Sequence, residues 1–368
     1  MMKEDKKQEK NKRKLRTLVL LLFLTIIMFG TSTYAWFTAN RRVSITSIDV
    51  HVETSDGIQI STDGSTWKSV ITRDDILVNK YQTADNFIPN TLDAVSTDGT
   101  LLENSTAGTR LLDFYLSNIG TNETTGRYTI KTEHVDEATD KTKFVAFDIF
   151  LKVSSAKTVY LNTTDSQSSV VVKTGSVSDL GLKNAARMGF VKIGEAASTD
   201  TVAQITGAKY ASNAPGAKIW EPNNDTHSVA VINSVSTEYG ITLTPNGTNS
   251  QSQTVYNPLS YCGITSEITT PADLISTVNC SASNATAMSA GTITNSGGEY
   301  STSGTLISTP NELVAGTRYS PFTLNAGITK MRIYMWIEGQ DLDCENNASG
   351  SDITFNLEFS IPDSTTGS

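Results

Sequence analysis

The chain has 368 residues, 38% of them hydrophobic, and its 29 Lys/Arg against 38 Asp/Glu leave a net charge of −9. A balance this acidic repels phosphate backbones and anionic lipid headgroups, which excludes nucleic acid as a partner. Three histidines and three cysteines leave little material for a metal centre or a thiol catalyst.

The first element is a leader. Lys3 to Arg16 carries eight Lys/Arg against three Asp/Glu, and no charge follows until Arg41. A basic start, the apolar run Leu18–Gly30 and the small residues before Ala35 form the pattern of an export signal, with cleavage expected between Ala35 and Trp36. Residues 17–40 are also uncharged over a length that spans a bilayer, so an uncut anchor is the rival reading. Residues 1–35 are therefore a signal peptide or membrane anchor, a hydrophobic helix with its basic end in the cytoplasm. The rest is expected outside the cell or at its surface, still tethered if the leader stays. Beyond residue 35 the chain keeps 21 Lys/Arg against 35 Asp/Glu, a net of −14.

Next come strands. Val43 and Ile45 alternate, then Ile48, Val50 and Val52 resume on the other parity, and the slip at Thr46-Ser47 predicts a β-bulge or a bend. Gly57–Ser61 and Thr66–Ile71 flank Thr62-Asp63-Gly64-Ser65, a hairpin signal because Asp-Gly accepts positive φ. Shorter strands are expected at Leu112–Asn118, Arg127–Glu133, Thr158–Leu161, Val170–Lys173, Met188–Ile193 and Val229–Val231. Val145, Phe147, Ile149, Leu151 and Val153 form one dry face, and Phe144, Ala146, Asp148, Phe150 and Lys152 lie opposite them, a mix whose aromatics predict a strand covered on both sides. One short helix is expected, around Val177–Ala186.

From Asn233 to Thr329 only Glu238, Glu267, Asp273, Glu299, Glu312 and Arg318 carry charge, and Ser, Thr, Asn and Gly dominate. This stretch reads as a polar, loop-rich insertion or a small satellite β subdomain, returning to the core at Phe322-Thr323-Leu324. Met331, Ile333, Met335 and Ile337 then alternate with Arg332, Tyr334, Trp336 and Glu338, as a strand with one dry and one wet face. Ile353, Phe355, Leu357, Phe359 and Ile361 repeat the pattern. The fold class is all-β: a β-sandwich or jelly roll built from residues 36–232 and 330–363, with residues 233–329 inserted.

The segment Gly30-Thr31-Ser32-Thr33-Tyr34-Ala35-Trp36-Phe37-Thr38-Ala39-Asn40 resembles the signal end of the TasA/camelysin family of exported proteins. Phe114-Tyr115-Leu116-Ser117-Asn118-Ile119-Gly120 is similar to that family's Phe-rich strand ending Asn-x-Gly. The resemblance implies a jelly roll, a dedicated signal peptidase, and biofilm-matrix fibres in which a freed N-terminal strand completes the next subunit. The polar insertion and the three cysteines depart from the family. On physical grounds, Trp36–Val52 has no hairpin partner on its N-terminal side. It either pairs in its own sheet or adds to the open edge of another copy.

Candidate site residues are sparse. Asp341, Asp343 and Glu345 place oxygens at every second position, as a calcium loop does, but Asn346 stands where the sharp-turn glycine belongs. The competing reading is a solvated loop. Cys262, Cys280 and Cys344 permit one disulfide, with Cys262–Cys280 and Cys280–Cys344 both open, or three buried thiols. Tyr334 and Trp336 are candidates for a sugar-binding face, or else for a second core layer. Motifs of hydrolases and phosphate-binding loops are absent, so no enzyme and no organic cofactor is expected. The expected function is that of an exported structural or interaction protein, with self-assembly as a fibre subunit as its specific form; the alternative is a membrane-tethered module that binds an extracellular carbohydrate.

Overall fold

Apolar–polar alternation resolves into strands across most of the residues that the computed structural model describes. These are residues 43–52, 57–78, 86–97, 99–104, 108–121, 128–161, 169–173, 185–210, 216–221, 245–248, 254–256, 272–273, 304–308, 319–339, 344 and 352–361. Strands β1 (Val43–Val52), β2 (Gln59–Ser61) and β3 (Val70–Thr72) lead into a short helix, α1 (Arg73–Val78). Six strands follow: β4 (Thr91–Leu92), β5 (Ala94–Val95), β6 (Leu101–Asn104), β7 (Thr109–Leu112), β8 (Phe114–Thr121) and β9 (Tyr128–Val135). Then come β10 (Val145–Val153), β11 (Lys157–Leu161), β12 (Ser169–Lys173), β13 (Ala186–Ala196), helix α2 (Val202–Thr206) and β14 (Ala217–Glu221). The chain continues through β15 (Pro245–Thr248), β16 (Thr254–Tyr256), β17 (Ala272–Asp273), β18 (Gly304–Ser308), β19 (Tyr319–Leu324), β20 (Gly327–Glu338) and β21 (Asp352–Ser360).

Two seven-stranded sheets share one core. The first runs β19-β11-β21-β1-β3, with β12 on β21 and β4 on β1; the second runs β18-β14-β13-β20-β10-β2, with β5 on β20. Ile48, Val50, Phe355 and Leu357 of the first sheet and Phe147, Ile149, Met331 and Ile333 of the second are fully buried in a single apolar cluster. Phe190 and Phe359 meet edge-on across it, 5.8 Å between centroids. The register of β1 against β21 slips between Ile45 and Ser47. That bulge turns Ile48, Val50 and Val52 onto the face already occupied by Ile45, because a strand's faces alternate every residue.

The Asp-Gly hairpin staples the two sheets. Ile60 and Lys68 pair as an antiparallel bridge, and then the arms part: β2 joins β10 and β3 joins β1. Gly64 takes φ +71° in the turn, and Asp63 accepts bonds from the backbone of Ser65 and Thr66, both at 2.7 Å. The stretch after residue 232 contributes to both sheets, since β18 runs parallel to β14 and β19 pairs with β11. The core therefore starts before residue 330 on the return. Within the same stretch β15 pairs only with β16, and β17 joins β9.

A third layer corrects the expectation of a wet face on the Met331–Glu338 strand. The β6–β7 hairpin and the β8–β9–β17 sheet lie over the second sheet, and all twelve residues of β20 are buried. Phe87, Val95, Leu112, Phe114, Val135 and Phe144 fill the space between the layers with Tyr334 and Trp336. The expected helix around Val177–Ala186 falls outside the described residues except at its end, where Ala186 opens β13. Val229–Val231 also lies outside them.

Candidate functional site

Several sequence-level candidates lie outside the described residues: Ala35, Trp36 and the rest of residues 17–40, Cys262, Cys280, Asp341, Asp343 and Glu345. Among the described residues no helix is long and apolar enough to cross a membrane, and no group of three metal-ligating side chains converges. Cys344 is buried in the main core.

Tyr334 and Trp336 are each 0% exposed, so they do not form the open platform that sugar stacking requires. Phe114 meets the Trp336 ring edge-on at 5.3 Å and stacks on Phe144 at 4.3 Å. Trp336 Nε1 donates to Glu338 Oε2 at 3.1 Å, and Ser96 Oγ donates to the other carboxylate oxygen. Glu338, expected on the wet face, is thus a buried acceptor for two donors from the covering layer and its own strand. The physical reason is that polar tips on large apolar bodies can satisfy one another inside the protein.

The first described strand occupies an interior slot. β1 runs parallel to β21 from Ser44↔Asp352 to Val52↔Phe359. Its other edge pairs with β4 at residues 43–44 and β3 at residues 49–51. Ser47 Oγ reaches Thr354 Oγ1 at 3.3 Å, and Ile45 N donates to Asn90 O at 3.0 Å. Ile45, Ile48, Val50 and Val52 are all buried. Four such side chains are worth roughly 6–12 kcal/mol before the cost of ordering the strand. Every one of these partners is indifferent to whether the strand belongs to the same molecule. Taking β1 out exposes the edges of both β21 and β3.

A second site lies under the third layer. Arg332, on the outer face of β20, faces Asp148 directly across the β10–β20 ladder and donates to Asp148 Oδ1 at 2.8 Å. Its other terminal nitrogen binds Glu137, presented by a turn in which Asp136 O accepts from Thr139 N and Asp140 N. Tyr334 Oη donates to Glu137 Oε2 at 2.8 Å and accepts from Arg332 Nε at 3.1 Å and Leu112 N at 3.3 Å. Lys330 Nζ donates to Thr206 O at 2.9 Å and lies 3.5 Å from Asp148 Oδ2. Two cations thus neutralise two carboxylates inside the protein. Burial alone would lower the Arg332 guanidinium; Glu137 and Asp148 hold it well above its ordinary value, so it stays charged. Burial pushes the Glu137 carboxyl up against the pull of Arg332, and burial with Glu137 alongside pushes the Tyr334 phenol well above its ordinary value. Chemically the group is a clamp joining β20, β10 and the turn after β9.

This network floors a cleft of about 250 Å³ whose charged lining is Arg110, Glu137, Asp148, Lys209, Lys330 and Arg332. One wall is α2 and the residues after it. Thr201 caps α2, its side chain taking Gln204 N while Gln204 Oε1 takes Thr201 N at 2.9 Å. The strap beyond α2 presses on β13 at Gly194, where a Cβ would sit 2.7 Å from backbone atoms of Ala208 and Lys209. Gly108, at φ +73°, lies under the Lys209 stem in the same way.

The capping box Thr201-Val202-Ala203-Gln204 is a helix-start signal that a search for apolar periodicity passes over, because α2 buries only Ile205. A second missed signal is β10. A strand expected to be dry on both faces requires its ladder neighbour, β20, to be covered as well. No family model, curated protein or solved structure matches this chain.

Proposed function

We propose that this is an exported cell-surface or matrix protein of jelly-roll type that acts through its surfaces, not as an enzyme, and assembles by exchange of its N-terminal strand. The observation that carries the reading is the place of β1. It is the first described strand after the leader, beginning at Val43, and fills an interior slot between β21 and β3 with four buried apolar side chains. A strand supplied at the start of a chain can fill its own slot or that of a neighbour with the same ladder. Exchange that does not close on itself propagates head to tail into a filament. Pairing within one chain carries no association entropy, so exchange needs both a high local concentration and a free terminus. Leader removal at Ala35–Trp36 supplies the terminus. Before processing, residues 17–40 hold the chain at the membrane.

The resemblance to the TasA/camelysin proteins points the same way. The rival reading, a tethered sugar-binding module, loses its support with the burial of Tyr334 and Trp336. N-terminal sequencing of the secreted product tests the first step: a start at Trp36 agrees with a released subunit, and an intact Met1 refutes release. Electron microscopy of concentrated cleaved protein tests the second. Filaments that vanish when residues 36–52 are deleted agree with exchange; filaments that persist refute it.

A further inference from the structure

We propose that Lys330 and Asp148 condense into an intramolecular amide, a covalent cross-link between β20 and β10 formed with the loss of one water. The inference is independent of strand exchange. Both residues lie in the body of the second sheet, and β1 lies outside the loop that the bond closes.

Register brings the two groups together. Asp148 faces Arg332 directly across the β10–β20 ladder and Lys330 faces Phe150, so Lys330 stands diagonal to Asp148 on the same face. A long side chain spans that diagonal. Lys330 Nζ lies 3.5 Å from Asp148 Oδ2, and the two side chains are 9% and 5% exposed. Each is also held from elsewhere. Lys330 Nζ donates to Thr206 O at 2.9 Å, and Asp148 N donates to Asn86 Oδ1 at 3.0 Å. Holding an amine and a carboxyl at this range replaces a bimolecular encounter, which supplies much of what a free condensation lacks.

The surroundings supply the rest. Arg332 Nη1 donates to Asp148 Oδ1 at 2.8 Å, and Glu137 and Asp148 keep that guanidinium charged. Glu137 also binds the other terminal nitrogen of Arg332, which fixes the fork over Asp148. One proton moves from the Lys330 ammonium to Oδ2, turning the ion pair into a neutral amine and a carboxylic acid. Nζ then attacks Cγ, the π pair moves onto Oδ1, and Arg332 stabilises the oxyanion. A second proton passes from the nitrogen to Oδ2, the Cγ–Oδ2 bond breaks, and water leaves as the Oδ1 carbonyl re-forms. No oxidant enters the balance. Lys330 and Asp148 lose their charges together, so Arg332 and Glu137 remain as a matched pair. A neutral amide in place of a buried ion pair also removes the desolvation cost that the two charges carry. The cleft of about 250 Å³ is lined by all four side chains and gives the water its exit. The bond closes residues 148–330 into one covalent loop, which restricts the unfolded chain as a long-loop disulfide does.

Intact mass spectrometry of the full chain tests this, with folding checked by circular dichroism and the N-terminus fixed by sequencing. The mass is expected to fall one water below that of the sequence. Tryptic digestion and tandem spectra are expected to show a branched peptide joined at positions 148 and 330. Lys330→Arg keeps a cation at the same place and is expected to restore the missing water. A folded parent at its full calculated mass overturns the proposal. So does a water deficit that persists in Lys330→Arg or maps to another pair of residues. If Lys330→Arg fails to fold, the parent's tandem spectra decide alone, and absence of the branched peptide overturns the bond.

Discussion

Replacing Trp336 with Ala removes an indole that is 0% exposed and wedged between β20 and the third layer. Burying about 200 Å² of aromatic surface is worth about 5 kcal/mol at 25 cal/mol/Å². The Nε1–H bond to Glu338 goes with it, leaving that buried carboxylate with Ser96 as its donor from the covering layer. One donor lost at a buried charge adds roughly 1–3 kcal/mol, and partial collapse of the cavity returns some of the sum. The expected loss is about 4–6 kcal/mol, a large share of the stability of an ordinary domain. Trp336→Phe keeps a ring and most of the volume and is expected to lose about 2 kcal/mol. Urea denaturation followed by far-ultraviolet circular dichroism measures both, with the indole itself kept out of the signal. A Trp336→Ala variant within about 1 kcal/mol of the parent would mean that the third layer does not cover β20, and the three-layer account would fail.

Three further substitutions probe the same architecture. Arg332→Met takes the guanidinium away from Glu137, which keeps the Tyr334 hydroxyl, and from Asp148, which keeps Lys330 at 3.5 Å, and is expected to lose about 3–5 kcal/mol at neutral pH. Their folded-state affinity for protons then rises, so this loss should shrink on acidification; a loss independent of pH in denaturation series would contradict the clamp. At Asp63 partial burial raises the carboxyl, but the N–H groups of Thr66 and Ser65 and the Ser61 hydroxyl outweigh it and bring it from 3.8 to about 2. Because the folded value is depressed, this stability is present above about pH 4 and is lost as pH falls toward 2. Asp63→Ala should lose about 1 kcal/mol, discounted for solvent screening, and flatten that part of the pH profile. Gly194→Ala puts a methyl into the backbone of Ala208 and Lys209, so a loss of about 1–3 kcal/mol is expected, with faster amide exchange in α2; unchanged exchange would refute the strap's seating.

Much of the sheet architecture was legible in the residues because period-2 alternation survives wherever one face is dry. β21, the core face of β20 and the two-sided burial of β10 all follow from it, as does the β1 bulge from the parity change between Ile45 and Ile48. The hairpin at Asp63-Gly64 was legible from the backbone demand of its turn. What it does afterwards, sending one arm to each sheet, was not, since strand partners separated in sequence leave no local mark. The outer face of β20 was misjudged for a definite reason. Arg332, Tyr334 and Glu338 carry polar tips, and alternation reads such residues as wet unless the partners that satisfy them are known. Those partners, Glu137, Asp148 and Ser96, come from three separate places in the chain. The cleft was hidden for the same reason, because its walls meet only when β7, β20 and the strap after α2 are brought together. Within residues 233–329 the return at Phe322–Leu324 was legible, but β15 to β18 were not placed beyond the expectation of a satellite sheet, because two to five polar-rich residues carry no period of their own.

The central claim is that β1 can leave its own slot for that of a neighbour, and a cross-link at its register measures this directly. Asp49 lies opposite Asn356 in the β1–β21 pair. Cleaved protein carrying Asp49→Cys is refolded at high concentration with isotope-labelled protein carrying Asn356→Cys, then oxidised, digested and analysed by mass spectrometry. The account predicts a disulfide joining position 49 of one copy to position 356 of another. If the mixture gives no such link, while a single chain carrying both cysteines closes on itself completely, the strand never leaves home and assembly by exchange is contradicted.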